Sequence, residues 1–185
     1  MSRRILFRMS LSVMAITCFA AAMVYHRSAS AEGGVKEVRL RDDCDPVTFG
    51  ALCPVGNGDT TLDEFNAELA QKKSVGAWKF NPDLSGLSIH VGEPIIIVNR
   101  GGETHSFTKV AQFGGGRVPR LNEASGNPIP APECLAPPNM IDNIFVGGKT
   151  TAPGPVAGDL TAPLGRTKFQ CCIHPWMRTT VRVQQ

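Results

Sequence analysis

Three side chains near the C-terminus have the types and spacing for metal chemistry. Cys171, His174 and Met177 form a C-x-x-H-x-x-M run inside Lys168-Phe169-Gln170-Cys171-Cys172-Ile173-His174-Pro175-Trp176-Met177. A soft thiolate, an imidazole and a weak thioether on one short loop suit a mononuclear electron-transfer copper site. In such a site a thiolate and two imidazoles bind trigonally and a Met takes a long axial position. The second imidazole has to come from elsewhere. Beyond residue 31 the chain has only His90, His105 and His174. His90 alternates out of phase with Leu87, Ile89 and Val91 and is expected to face solvent. His105 follows Gly101-Gly102-Glu103-Thr104 at the start of a strand-like run. By elimination the expected ligand set is His105, Cys171, His174 and Met177, holding one copper ion.

Strand phase separates the two adjacent cysteines. Phe169 and Cys171 share a face, while Cys172 points the other way. Cys172 would also leave a single residue before His174, so Cys171 is the expected ligand. Other metal chemistries fit less well. Structural zinc takes four strong N or S ligands, and Met is a poor one. A binuclear copper site needs two Cys on one loop separated by three residues, whereas Cys171 and Cys172 are adjacent and point apart. A trinuclear oxidase cluster needs His on both sides of the ligand Cys, where this chain has Gln170 and Cys172. No catalytic machinery is visible, and the protein is not expected to be an enzyme.

The elements that must position these residues are short strands. Ala77 to Phe80 reads as one. Leu87 to Val91 alternates strictly, and Ile95 to Val98 is rich in β-branched residues. Ser106 to Val110, Thr167 to Cys172 and Thr179 to Val183 complete the set. Between Val110 and Thr167 lies a long irregular stretch containing Gly114-Gly115-Gly116 and then Pro128, Pro130, Pro132, Pro137 and Pro138. Upstream, Thr61 and Glu64 make a capping box, and Leu62, Phe65 and Leu69 share a helical face, which predicts a helix over 62–73. The expected organisation is a signal peptide over 1–31, an N-terminal extension with one helix over 32–76, and an all-β, Greek-key sandwich over 77–185.

Charge and cysteine usage set the compartment. The formal net charge is +3, but Arg3, Arg4, Arg8 and Arg27 all precede Glu32, and every acidic residue follows them. Without residues 1–31 the balance is 15 basic against 16 acidic residues. Nucleic acid is therefore not an expected partner. The basic start, the uncharged run Met9 to Tyr25 and Ala29-Ser30-Ala31 read as a cleaved export signal, with an uncleaved membrane anchor as the competing reading. No later stretch is long and apolar enough to span a bilayer, so no membrane partner is expected after cleavage. Five Cys remain beyond the signal: Cys44, Cys53, Cys134, Cys171 and Cys172. One metal thiolate and two disulfides would use all five. Cys44–Cys53 is the cheapest closure, leaving Cys134 for whichever of Cys171 and Cys172 is not a ligand, although four Cys allow three pairings.

The chain resembles the small blue copper proteins, the cupredoxins. The resemblance runs through Trp78-Lys79-Phe80-Asn81-Pro82, Val91-Gly92-Glu93-Pro94-Ile95, Asn99-Arg100 and His105, and ends in Phe169-x-Cys171-x-x-His174-Pro175-x-Met177-Arg178. That last run is similar to the amicyanin-type ligand loop. Cys172 and the long, Pro-rich span from His105 to Cys171 depart from the family pattern. The resemblance implies a cupredoxin-like fold and a type 1 site cycling Cu(I)/Cu(II). It also implies that the backbone N–H of Ser106 donates to the ligand sulfur. The expected function is single-electron transfer in the periplasm, as a monomer, with a redox protein partner such as a c-type cytochrome or a periplasmic oxidoreductase. The alternative is a copper-handling or delivery module without redox traffic. His174 is expected nearest solvent, with Pro175 and Trp176 forming an apolar rim.

Overall fold

A computed structural model of the chain describes residues 35–56, 58–139, 142–156 and 164–185. The expected signal peptide lies outside the described residues. The chain divides into Met1–Glu32 and Gly33–Gln185, and every element below belongs to the second unit. In chain order these are β1 (Lys36–Arg41), α1 (Pro46–Phe49), α2 (Leu62–Lys72), β2 (Lys79–Asn81), β3 (Leu87–His90), β4 (Pro94–Asn99) and β5 (His105–Val110). They continue with α3 (Pro119–Ala124), α4 (Pro132–Leu135), β6 (Asn143–Val146), β7 (Thr151–Val156), β8 (Gly165–Gln170) and β9 (Arg178–Gln184). Among the described residues no helix is long and apolar enough to cross a membrane.

The strands build two mixed sheets, ordered β2-β1-β4-β7 and β3-β9-β8-β5-β6. The β1/β4 and β3/β9 pairs are parallel and the rest antiparallel. The sheets enclose a common core of Val38, Leu40, Phe80, Ile89, Ile95, Ile97, Phe107, Phe169, Val181 and Val183. Alternation creates this layer: Ile95 and Ile97 on β4 and Phe107 on β5 point inward, and Phe107 stacks on Phe169 with ring centroids 4.2 Å apart. Each such aromatic contributes roughly 1.5–3 kcal/mol by leaving water.

The domain boundary expected at residue 76 is corrected. The segment 32–76 is not an appendage, because β1 sits between β2 and β4 inside the first sheet. Val38 and Leu40 on β1 are fully buried, while the intervening charged residues of β1 face outward. The expected helix is present as α2. Thr61 Oγ1 accepts from the N–H of Glu64 at 3.3 Å, and Glu64 Oε2 accepts from the N–H of Thr61 at 2.8 Å. Phe65 and Leu69 place the apolar face of α2 in the main core, with Phe65 against Trp78.

The described part of the Pro-rich stretch, up to residue 139, also folds against the second sheet. Pro119 and Pro132 occupy the first turns of α3 and α4, where a missing N–H costs nothing. This stretch covers the outer face of the second sheet and makes a small second core of Val110, Ala131, Cys134 and Cys172, with Phe113 and Phe145 packed on it.

Candidate metal centre

Two strands and one turn bring the donors together. His105 is the first residue of β5, Cys171 follows the last residue of β8, and the turn from β8 to β9 carries His174 and Met177. Two backbone bonds close that turn: Cys171 N–H to the Met177 carbonyl at 3.0 Å and Met177 N–H to the His174 carbonyl at 2.9 Å. Arg178 Nε donates to the Pro175 carbonyl at 2.7 Å and braces the loop from its far side.

His105 Nδ1 and His174 Nδ1 lie 3.3 Å apart, and each is 3.9 Å from Cys171 Sγ. Among the described residues these three form a compact donor cluster, and all three are buried. Met177 is buried on the same turn and belongs to the same core cluster as Cys171. The sulfur of Cys171 accepts from three backbone N–H groups: Ser106 at 3.3 Å, Ile173 at 3.4 Å and His174 at 3.4 Å. His90 stays outside, exposed on β3, with its Nδ1 3.6 Å from Glu93.

The cysteine arithmetic closes. Cys44 pairs with Cys53, Cys134 pairs with Cys172, and Cys171 is the free thiol. Cys171 and Cys172 do point to opposite faces. The second face is buried too, under the Pro-rich cover, where Cys172 meets Cys134.

Two carboxylates complete the site, and neither was found from the sequence. Asp42 Oδ2 accepts from His105 Nε2 at 2.7 Å, with both side chains fully buried. Glu103 Oε2 lies 3.2 Å from His174 Nε2 and also accepts from Trp78 Nε1. Carboxylates only accept, so each Nε2 carries a hydrogen. In the neutral rings each Nδ1 then offers a lone pair toward the other and toward Cys171. Asp42 lies in the turn after β1, far in sequence from His105. Glu103 is only two residues before His105, yet its partner is His174. The sequence carries no local signal for either pairing.

This crowding of donors shifts the proton affinities. Burial opposes a charge on His105, but the hydrogen bond to Asp42 and then the contacts with Cys171 outweigh it and raise its pKa. Burial likewise opposes a charge on His174, but Cys171 and Glu103 raise its pKa to about 9. Asp42 is pushed up by burial, yet the bond from His105 and the backbone N–H groups of Gly102 and Glu103 bring it down to about 2. Burial also opposes the Cys171 thiolate, and the two imidazoles overcome it, holding the thiol well below its ordinary range. An inward-facing set of two imidazoles and a thiolate favours a bound cation.

His174 is 2% exposed, against 0% for His105 and Cys171 and 1% for Met177, so of the four it lies nearest solvent as expected, but beneath a cover instead of at an open edge. The rings of Phe65, Trp78 and Trp176 surround it at centroid distances of 6.4, 6.4 and 5.4 Å. Helix α2, which the sequence reading placed outside the sandwich, supplies part of this cover. A mostly apolar cavity of about 180 Å³ between Leu52, Leu62, Phe65, Leu121 and Ile173 leads from the surface to His174.

No family model and no curated protein matches this sequence. Among solved structures the chain is similar to a purple cupredoxin from Nitrosopumilus maritimus, at 13% identity over 80% of this chain and 99% of that one, with a TM-score of 0.42. It is also similar to oxidised plastocyanin from Dryopteris crassirhizoma, at 16% identity over 80% of this chain and 99% of that one, with a TM-score of 0.38. A Cu(I) amicyanin mutant matches at 18% identity over 55% of this chain and 70% of that one, with a TM-score of 0.33. All three are cupredoxins.

Proposed function

We propose that this protein is an exported blue copper protein that carries single electrons between redox partners. The carrying observation is the convergence of His105 Nδ1, His174 Nδ1 and Cys171 Sγ within 4.8 Å in a buried site. The donors fit the metal: a thiolate and two imidazoles suit copper, and both Nε2 hydrogens are already committed outward. Met177, buried on the same turn, would supply a thioether as a fourth, weaker ligand. A bound copper ion would cycle between Cu(I) and Cu(II) and so hold or release one electron.

The chain's own residues serve that role. Ser106, Ile173 and His174 give their N–H groups to the sulfur, which lowers its electron donation and tunes the site. The donor loop hangs between β8 and β9 and is tied to β5 through Ser106, so the ligands stay fixed between oxidation states. The cavity that reaches His174 lets a partner come close to the buried donors, which suits electron transfer, and the spectra below separate this from metal delivery. The two disulfides suit an oxidising compartment such as the periplasm. The proposed partner is a redox protein, a c-type cytochrome or a periplasmic oxidoreductase, docking over the cavity that reaches His174. No catalytic step is assigned to the site.

Copper loading followed by optical and EPR spectroscopy tests this reading. An intense visible band with the narrow hyperfine splitting of a thiolate-bound Cu(II) is expected. A colourless copper complex would favour metal handling, and failure to bind copper would defeat both readings.

A further inference from the structure

Asp42 and Glu103 reach the centre from unrelated parts of the chain, and each takes the outer nitrogen of a different imidazole. We propose that this carboxylate pair positions both rings with Nδ1 inward and biases the site toward the divalent over the monovalent copper ion, an inference that rests on the copper reading above.

The Asp42 position is built in detail. Oδ1 accepts from the Gly102 N–H at 2.8 Å and the Cys44 N–H at 3.4 Å, and Oδ2 accepts from the Glu103 N–H at 3.1 Å as well as from His105. Every neighbour is a donor, so the carboxyl's own hydrogen would have no acceptor and the group sits there as an anion. Its approach depends on missing side chains. A Cβ on Gly101 would overlap the Asp42 carboxylate, and one on Gly102 would overlap Gly56 and Cys44. The Cys44–Cys53 disulfide fixes the turn that carries Asp42. Glu103 is anchored differently, between Trp78 Nε1 and His174 Nε2, while its backbone carbonyl accepts from Asn99 Nδ2 at 2.7 Å.

A backbone carbonyl at either Nε2 would orient the ring equally well but would bring no charge. Here the Cys171 thiolate and the two carboxylates together place three negative charges around the site. Cu(II) would leave a net charge of minus one and Cu(I) minus two, in surroundings where Coulomb energies are screened far less than in water. One-electron reduction by the partner is therefore opposed, and oxidation favoured, relative to a site with neutral second contacts. Carboxylate–histidine contacts also raise ligand basicity and strengthen metal binding.

The test uses the copper-loaded protein and Glu103→Gln, which keeps an oxygen for Trp78 and His174 and removes only the charge. The wild-type visible band must appear first, and its absence would defeat the copper reading, not this inference. With the band present, Glu103→Gln is expected to raise the reduction potential by about 59 mV or more, a tenfold change for a one-electron couple. Its Cu(II) affinity, measured by chelator competition, should fall roughly 10–100-fold. Asp42→Asn should move both quantities in the same direction. An unchanged potential in a folded, blue variant overturns the bias. A second measurement needs no variant. In the wild-type Cu(I) protein both Nε2 hydrogens should appear by NMR as downfield, slowly exchanging resonances. Rapid exchange of either would overturn the positioning role.

Discussion

Ser106 holds both adjacent cysteines at once. Its N–H donates to Cys171 Sγ at 3.3 Å, and its Oγ accepts from the Cys172 N–H at 2.7 Å. One residue at the start of β5 thus fixes the point where the chain leaves β8 and where the two sulfurs part to opposite faces. Cys171 turns inward to the imidazoles, and Cys172 turns outward to Cys134.

That division gives opposite expectations for the two thiols. Cys171→Ala should abolish the visible band of the copper-loaded protein and leave thermal unfolding of the metal-free form nearly unchanged. Cys172→Ala should keep the band and cost about 2–4 kcal/mol by losing the disulfide that pins the Pro-rich cover. Optical spectra paired with denaturant unfolding check both. A bleached Cys172→Ala protein with an intact Cys171→Ala site would reverse the assignment.

The sequence made the donor loop and six of the strands legible because both are local patterns. C-x-x-H-x-x-M lies on one turn, and β3, β4, β5 and β9 alternate or carry β-branched residues. Strand β1 escaped because only Val38 and Leu40 are apolar in a six-residue run dominated by charge, although their spacing is that of a strand. Strand β7 reads Thr-Ala-Pro-Gly-Pro-Val, a poor strand composition that is tolerated at a sheet edge, which is its place here. Helices α3 and α4 were hidden because their prolines read as breakers while acting as first-turn residues. The carboxylates were beyond reach for another reason. Asp42 meets His105 across 63 positions and through glycines whose role shows only when two backbones touch.

Gly101 carries the next prediction, because its missing side chain admits the Asp42 carboxylate. Gly101→Ala should push Asp42 away from His105, shift the charge-transfer band, and destabilise the fold by about 1–3 kcal/mol through overpacking. Gly92→Ala is the control, since a Cβ there meets nothing within 4 Å. Its positive φ of 86° makes it a control for backbone strain alone. A spectral shift in the Gly92 variant as large as in the Gly101 variant would argue against a specific effect.

The cover over His174 depends on α2, and α2 depends on its cap. Thr61→Ala should cost roughly 0.5–2 kcal/mol. Glu64 is held below its ordinary pKa by the Thr61 backbone N–H and then the Thr61 hydroxyl. A carboxylate with a depressed folded pKa stabilises fully above its unfolded pKa, about 4.3, and loses that contribution as pH falls through the folded value. The stability gap between wild type and Thr61→Ala should therefore be constant near neutrality and narrow below about pH 4. Unfolding curves across that range check it; because alanine keeps the backbone N–H bond to Glu64, a gap independent of pH would mean that the Thr61 hydroxyl adds nothing to the Glu64 contact.

On the proposed electron-transfer reading, the route of the electron would follow from what covers His174. Phe65, Trp78 and Trp176 enclose the ring, and the 180 Å³ cavity is the opening that reaches it from the surface side of α1 and α2. Leu52 is 66% exposed on that cavity's lining, so it can meet a partner without touching a metal donor. The nearly balanced charge beyond residue 31 provides little long-range steering, which leaves apolar contact to fix the encounter. Leu52→Glu should slow electron exchange with the redox partner roughly tenfold, the equivalent of about 1.4 kcal/mol, while leaving the copper spectrum unchanged. Val91 is the matched control. It is 58% exposed in the turn before β4, and β4 runs from there toward Asn99 beside the site, so Val91 lies at the opposite end of the sandwich. Val91→Glu should leave the rate unaltered. Stopped-flow exchange at two ionic strengths separates the cases. Equal slowing by both substitutions would reflect added charge alone, whereas slowing only by Trp176→Glu would move the docking face to the donor loop itself.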